Sequence, residues 1–522
     1  MIKKIAFTFA IGIAFMSAQA QDKTDVLRYS ELNPGGSSRA QAIGGATGSI
    51  GGDYSSIFSN PAGVGFFKSS ELAFSLDFQQ ANNKSTYLNT NGSDNKGNFN
   101  IGSVGLILAS PRRNPNSKWQ NITLGLGYSR QANFNQNIYY RGRNNTSSIG
   151  SQYVSNLNGV DTASVYDGAY AFGPLEAVKT GFLSGNFDNA GNPLHTWTTI
   201  SPYDDPAGAG VLQENSIYTS GRSEIYSLAL GTNYADKFYI GGSLNMPHIE
   251  YERNSVFRET NDQHYQYLGY TMNYYESSTY LNTTGNGFQA NLGVIYRPIP
   301  ALRVGATFIS PMWLSMHDSY YGNYTTSDNT GTYTASTLDE DEYNAPVESH
   351  YNIRTPWRGI VSAAYVFTPK DNNIRKPSGF LTVDYEYEDY ASSSLKFKNG
   401  LSDDNQSSNL VQSDIKSSYQ SASNIRAGGE IKIDIWAFRA GFAYYGNPYA
   451  TGGLDGSRKF YSGGLGYRNK GFYADLTYVY MNQNLLDQPY AVGSDQPNTP
   501  TPAPASIKAN TSNVSLGIGF KF

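Results

Sequence analysis

From residue 70 to the C-terminus the chain breaks into about fourteen short stretches in which apolar and polar residues alternate, joined by connections that are long and short by turns. Leu72, Phe74, Leu76 and Phe78 fall on one face, with Ala73, Ser75, Asp77 and Gln79 on the other. The same period of two recurs at Ile122–Tyr128, at Phe288–Tyr296, at Leu302–Phe308 and at Trp436–Tyr444. Two is the side-chain period of a strand and is incompatible with a helix. The predicted strands span 70–81, 98–109, 120–131, 223–234, 236–250, 286–297, 301–311, 355–367, 379–391, 421–433, 435–446, 458–469, 471–482 and 511–522. Segments of this length, repeated this often, fit an all-β transmembrane antiparallel barrel, in which about 9–11 tilted residues cross the bilayer with lipid-facing and lumen-facing side chains in turn.

The connections carry the orientation. Segments 82–97, 132–222, 251–285, 312–354, 392–420, 447–457 and 483–510 are mostly long and polar, whereas 110–119, Ala235, 298–300, 368–378, Asp434 and Lys470 are compact. In an up-and-down barrel the long set lies outside the cell and the short set faces the periplasm, which is where both chain ends are then expected. A soluble β-sandwich also uses short strands, but it gives no reason for loop length to alternate. The final strand puts Val514, Leu516, Ile518, Phe520 and Phe522 on one face, and in a closed barrel it pairs with the first strand, leaving no free edge.

Composition agrees. Lys3 and Lys4, an apolar run from Ile5 to Met16 and Ala18-Gln19-Ala20 have the layout of a secretory signal peptide covering 1–20, with the mature chain expected to start at Gln21. Nothing later approaches the ~18 apolar residues of a membrane helix, and the mean hydropathy is −0.46. Tyrosine (42), phenylalanine (26) and glycine (54) are abundant, which suits interfacial aromatic girdles and close approach of backbones. With no cysteine there is no disulfide or thiolate metal site, and a net charge of −4 gives no signature of nucleic-acid binding. His195, His248, His264, His317 and His350 stand in no recognisable Ser/His/Asp setting. Phosphate-loop, dinucleotide and metal-ligand patterns are missing too, so the expectation is a non-enzyme without cofactor or metal.

Residues 21–68 read differently. Asn33-Pro34-Gly35-Gly36, the small-residue run Ser38–Ala46 and the stretch Gly51–Gly63 are too glycine-rich and too short-patterned for membrane strands. A compact segment of this kind fits inside a barrel of about fourteen strands, whose interior is otherwise an aqueous pore. The division is therefore signal peptide 1–20, an N-terminal hatch at 21–68 in the lumen, and a barrel from 69 to 522 with long outer loops at 132–222, 251–285, 312–354, 392–420 and 483–510.

Three features resemble the FadL-type outer-membrane transporters of fatty acids and other hydrophobic compounds. They are Arg39–Ala46 running into Ser56-Ile57-Phe58-Ser59-Asn60-Pro61-Ala62-Gly63, then Thr355-Pro356-Trp357-Arg358 followed by Val383–Tyr387, and Ile425-Arg426-Ala427-Gly428-Gly429-Glu430. The resemblance implies that Asn60, Pro61, Ala62 and Gly63 form the hatch motif. It also implies capture of a hydrophobic ligand by outer loops, a luminal site, and lateral exit at a kink in the third strand, where Gly125 and Gly127 are the expected yielding points. It further implies that the closing strand, ending at Phe522, is read by the barrel-insertion machinery, and it fits a monomer among outer-membrane lipids. Inward-facing Arg303, Arg426 and Arg439 are candidates to hold a ligand carboxylate, with Asp384, Glu386 and Glu430 as competing partners. Phe172, Phe182 and Tyr270 lie in apolar parts of outer loops and serve either a capture groove or the packing of a cap. Rival readings are a secretion-associated barrel of the same type that handles proteins, and a general porin, which a luminal hatch argues against.

Overall fold

The computed structural model describes residues 23–522 except 32, 112–116, 167–169, 204–209, 267–268, 340–343, 370–375, 451–452, 454 and 494–498, so the expected signal peptide and Gln21 lie outside the described residues. Fourteen antiparallel strands close into a barrel. In chain order they are β1 Glu71–Tyr87, β2 Thr90–Pro111, β3 Trp119–Asn133 continued by Gln136–Asn144, β4 Val211–Tyr234, β5 Phe238–Thr260 and β6 Met272–Ile299. Next come β7 (Leu302–Ile309, Trp313–Asp328), β8 (Val347–Arg354, Arg358–Phe367) and β9 (Ser378–Asp389, Ser394–Phe397), each in two parts. The circuit ends with β10 Ser421–Ile433, β11 Trp436–Tyr445, β12 Arg458–Asn469, β13 Phe472–Asp487 and β14 Ala505–Lys521. Closure is the β1–β14 ladder, which runs from Glu71↔Lys521 to Thr86↔Ser506.

Alternation produces two unlike surfaces. Leu72, Leu126, Leu244, Leu292, Leu381 and Leu476 are exposed on the outside, while their sequence neighbours Ala73, Gly125, Ser243, Asn291, Thr382 and Asp475 are buried within. Trp119–Tyr234, Trp436–Tyr467 and Phe472–Phe520 ring pairs mark the lower rim of this apolar belt, and Tyr128–Tyr226, Phe288–Trp313 and Phe442–Tyr461 the upper one. A closed cylinder with such a belt is built for the bacterial outer membrane. The tight lower turns hold residues in the left-handed region: Ala235 and Asp236 at φ +55 and +54 between the paired Tyr234 and Phe238, and Lys470 and Gly471 at +45 and +86 in a two-residue hairpin.

Several segments expected as loops are strand instead. The hairpin of β1 and β2 continues to a turn at Leu88-Asn89, so 82–97 is ladder. Much of 251–285 belongs to β5 and β6, and much of 312–354 to β7 and β8. Above the membrane both faces of a strand meet polar surroundings, so pairing persists where apolar alternation stops. Consequently β4, β5 and β6 run 24, 23 and 28 residues, against 13, 10 and 12 for β10, β11 and β12, and one side of the wall stands tall above the other.

Residues 33–67 occupy the bore. They touch inward-facing glycines on strands spread over the circumference: a Cβ at Gly105 would strike Tyr54, at Gly241 Pro61, at Gly293 Asn60, at Gly305 Gly48, at Gly428 Ile43, and at Gly441 Gly44. A segment that meets six separate parts of a closed wall lies inside it. The first described residues lie at the other end of the barrel from that expected for the N-terminus. Helix α1, Lys23–Ser30, starts beside the outer connection before β10, where Lys23 Nζ donates to Ser418 Oγ (2.9 Å) and Tyr419 Oη donates to the Lys23 carbonyl (3.0 Å). Phe522 lies at the periplasmic end, its N–H bound to the Ser70 carbonyl (3.0 Å). The two ends of the described chain are therefore at opposite ends of the barrel.

Candidate functional site: the filled bore and its outer cavity

Short-range chemistry shapes the bore segment. Ser37 caps the five-residue helix α2, Ser38–Ala42, accepting from the Ala40 N–H at 3.0 Å. Asn60 caps the 3₁₀ turn Pro61–Phe66, accepting from Ala62 N–H (3.1 Å) and donating to the Gly48 carbonyl (2.6 Å). The Asn60-Pro61-Ala62-Gly63 stretch is thus a folded wedge seated on Gly241 of β5 and Gly293 of β6.

Ion pairs fasten this segment to the wall. Arg39 binds Glu430 through two nitrogens, at 2.8 and 3.1 Å, and Glu430 also receives Arg439 at 2.5 Å and Lys432 at 3.0 Å. Arg439 goes on to Asp475 at 2.7 Å, while Arg426 meets Glu386 at 3.2 Å and Asp384 at 3.9 Å. Buried charges are stable only when compensated in this way. Two of the three arginines considered for a ligand carboxylate, Arg426 and Arg439, therefore have their charges met by the wall. Arg303 hydrogen-bonds the Ile50 carbonyl and lies 4.7 Å over the Phe66 ring, beneath the segment and far from the outer mouth.

Above the wedge is a cavity of about 610 Å³. Leu27, Phe134, Ile138, Tyr251, Leu281 and Phe460 give it apolar walls. Four arginines face it. Arg28 pairs with Asp25 inside α1, Arg458 lies 3.6 Å from Glu31, and Arg130 stands at the cavity edge beside Gln131. Arg253, on β5, makes no ion pair with a described residue. Sequence reasoning missed Arg253 and Tyr251 because they fall in 251–285, read there as loop; continued alternation past Ile249 is the signal that would have placed them inward.

The backbone ladder of the wall is interrupted beside this cavity, and side chains bridge the interruption. The β2–β3 ladder runs from Pro111↔Asn121 to Ser103↔Ser129 and stops, although β2 continues upward to Thr90 on β1 alone. β3 breaks at Phe134-Asn135, and its continuation forms a ladder only with β4, while its Asn137 and Tyr139 carbonyls accept from Asn83 Nδ2 and Ser85 Oγ of β1, both at 2.5 Å. Across the gap Asn133 Nδ2 donates to Asn98 Oδ1 at 3.1 Å. Gly125 and Gly127, expected as yielding points, do not coincide with this break. Both lie in the intact ladder, where a Cβ would press on Ile57 and Phe58. Their smallness seats the bore segment; the separation starts above them.

No family model and no curated protein matches the chain. Among solved structures, a FadL homologue from Pseudomonas aeruginosa matches at TM-score 0.52 and 12% identity, covering 94% of this chain and 99% of that one. A deltaS2 mutant of the TodX monoaromatic hydrocarbon channel matches at TM-score 0.50 and 10% identity, over 94% and 100% of the two chains. The Pseudomonas putida toluene transporter TodX gives 0.49 at 12% identity over 94% and 99%. The fold is that of the FadL-type barrels.

Over this FadL-type barrel sits a folded roof. Helices α3 (Ile149–Leu157), α4 (Thr162–Val165) and α5 (Pro174–Lys179) and the hairpin Leu183–Phe187/Pro193–Thr199 share one apolar core with β5, β6, β7 and Tyr490 of the last loop. Glu259, at the top of β5, ties it down by accepting from Ser148 Oγ (2.5 Å), Ile149 N–H (2.8 Å), Gln213 Nε2 (2.8 Å) and Ser201 Oγ (3.2 Å). Burial, reinforced by the nearby Glu259 carboxylate, pushes the Tyr490 hydroxyl up, so it stays protonated beside Ser147 (3.0 Å). Phe182 is 0% exposed and stacks on Tyr275 at 3.9 Å, and Phe172 packs on Tyr320 at 4.7 Å. Tyr270 is 43% exposed. The structure does not bring these three together as a groove; two of them are packing within the roof.

Proposed function

We propose that this barrel moves hydrophobic or amphipathic small molecules inward across the outer membrane without energy input. The ligand occupies the outer cavity and leaves sideways between β2 and β3. The observation that carries this is the meeting of three features in one place: a bore filled by 33–67, a cavity with both apolar and polar walls directly above it, and a ladder that ends at Ser103/Ser129 against that cavity. A filled bore disfavours free diffusion of polar solutes, and hence the general-porin reading. The roof, with its own hydrophobic core, favours an enclosed site over an open protein-docking platform. Fatty acids and aromatic hydrocarbons both suit a cavity of mixed character; Asp25, Glu31, Asp77 and Asp487 line it beside the four arginines, and Arg253, with no ion pair to a described residue, is the group that favours a ligand with an anionic head.

The chain has no cysteine, so the gap can be closed by one engineered bond. Asn98→Cys with Asn133→Cys replaces a 3.1 Å side-chain contact across it. In liposomes the oxidised pair is expected to cut uptake of palmitate and toluene about tenfold or more, with recovery on reduction. Uptake unchanged by oxidation, with the bond verified by mass, would refute the lateral route.

A further inference from the structure

The outer surface of the barrel carries a feature that transport through the bore does not use. Cross-strand register places outward residues in rows. One row above the bilayer reads Lys459, Asn482, Asn510, Asn82 and Asn95 across β12, β13, β14, β1 and β2. The next reads Asn484, Lys508, Lys84 and Ser93. Beneath them lie Tyr461, Tyr480, Ser512 and Gln80, and then the belt residues Tyr478, Val514, Phe78 and Phe99.

Lys84 and Lys508 are therefore direct cross-strand partners, both exposed, and neither makes an ion pair with a described residue. Like charges placed opposite each other cost stability in a sheet. The outward positions of these rows include lysines, amides and hydroxyls but no carboxylate; Asp455, on the loop before β12, is the acid near Lys459. The β3–β5 face is built otherwise. There Arg222 meets Glu224 at 2.9 Å and Glu250 at 3.1 Å, and His248 meets Glu250 at 3.1 Å, so its cation is paired with carboxylates on the same face.

Height adds the second constraint. Lys84 is six residues above Phe78 on the same strand, ~20 Å along it and ~15 Å along the membrane normal at the usual barrel tilt. Lys459 is one row lower, and lysine stems reach several ångströms back toward the bilayer. That is the level of headgroups rather than of acyl chains.

We propose that the outward face of β12, β13, β14, β1 and β2 docks the phosphorylated headgroup of an outer-leaflet glycolipid. Lys84 and Lys508 straddle one phosphate, Lys459 takes a second, and the asparagine row donates to sugar hydroxyls. The bound anion converts the Lys84–Lys508 repulsion into a bridge.

The test uses the full chain in detergent, titrated with diphosphoryl lipid A, dephosphorylated lipid A or phosphatidylglycerol, with retention read by native mass spectrometry and melting followed in parallel. Diphosphoryl lipid A is expected to be retained best, and Lys84→Gln with Lys508→Gln to weaken it about tenfold. Lys396→Gln, an exposed lysine on β9, should leave retention unchanged. Without lipid, the same double variant should melt higher than the parent, because the repulsion is gone; with lipid A the order should reverse. Equal retention of the dephosphorylated lipid or of phosphatidylglycerol overturns the proposal. So does a double variant that retains lipid A as the parent does, or one that melts lower in both conditions.

Discussion

The two halves of the bore are held by opposite means. From Ser37 to Phe67 the chain is pinned by buried ion pairs and by backbone seated on glycine, with Arg39, Glu430, Arg439 and Asp475 forming one chain of charge. Above the Asn33-Pro34-Gly35-Gly36 turn, α1 rests instead on apolar contact. Val26, Leu27 and Tyr29 pack among Ile249, Leu314, Met316, Tyr351 and Ile353, and the Arg28–Asp25 pair is internal to the helix. The lower half has geometry that admits one arrangement; the upper half is a soft apolar lining beside open volume. Sealing and binding are thus divided along the barrel axis, and each can be perturbed without the other.

The sharpest way to break this division is at Glu430. Glu430→Gln leaves Arg39, Arg439 and Lys432 facing one another without their shared acceptor. Removing one member of a buried charge cluster costs about 3–5 kcal/mol, so the folded band on semi-native gels should be lost at markedly lower urea. Planar-bilayer recordings should show the seal failing, as nonselective conductance absent from the parent. A sealed, equally stable variant would mean that the glycine contacts alone hold the segment.

Much of this arrangement was legible beforehand, for reasons that differ by region. Strand number, orientation of the turns and the bore segment follow from alternation at Leu72–Phe78 and from glycine at Gly44 and Gly63, because lipid on one side and backbone contact on the other restrict residue choice. Arg426 and Glu430 stood out as parts of a motif, yet their partners did not. Glu386 is 40 positions from Arg426, on the neighbouring strand, and Arg39, in the bore segment, is 391 from Glu430, separations that strand pairing and the seating of that segment close but that local sequence does not show. The extended hairpins above the membrane carry no outward apolar row, and the inward alternation that continues through Tyr251 and Phe257 lies in a segment read as loop, which hid Arg253 and the full height of β5 and β6. The ladder break lies above the glycines expected to yield for a related reason: a Cβ at Gly125 or Gly127 would press on Ile57 and Phe58, and small residues look alike in sequence whether they yield or seat.

Gly441 tests the steric half of the seal with a smaller expected effect. A Cβ there meets the backbone of Ile43 and Gly44, which has no rotamer in which to move aside. Gly441→Ala should cost about 1–3 kcal/mol by overpacking and raise leak conductance less than Glu430→Gln does. Gly463, on the adjoining strand, has only the Arg439 carbonyl near it, at 3.7 Å, and Gly463→Ala should be silent in both measurements. Equal effects at the two positions would remove close backbone contact as the reason for glycine in the wall.

The upper half is probed at Arg253, where the effect should appear in selectivity rather than in sealing. Its guanidinium faces the cavity without a carboxylate partner among the described residues, whereas Arg28 and Arg458 are already paired. Arg253→Gln keeps length and polarity but removes the charge. If the cavity holds an anionic head at this point, uptake of palmitate should fall about tenfold relative to toluene, matching the ~1.4 kcal/mol of one lost charge-assisted hydrogen bond. Conductance and urea stability should stay at parental values, since no ion pair is broken. A parallel fall for palmitate and toluene would assign Arg253 to the shape of the cavity, and leak current in this variant would show that the two halves of the bore are coupled after all.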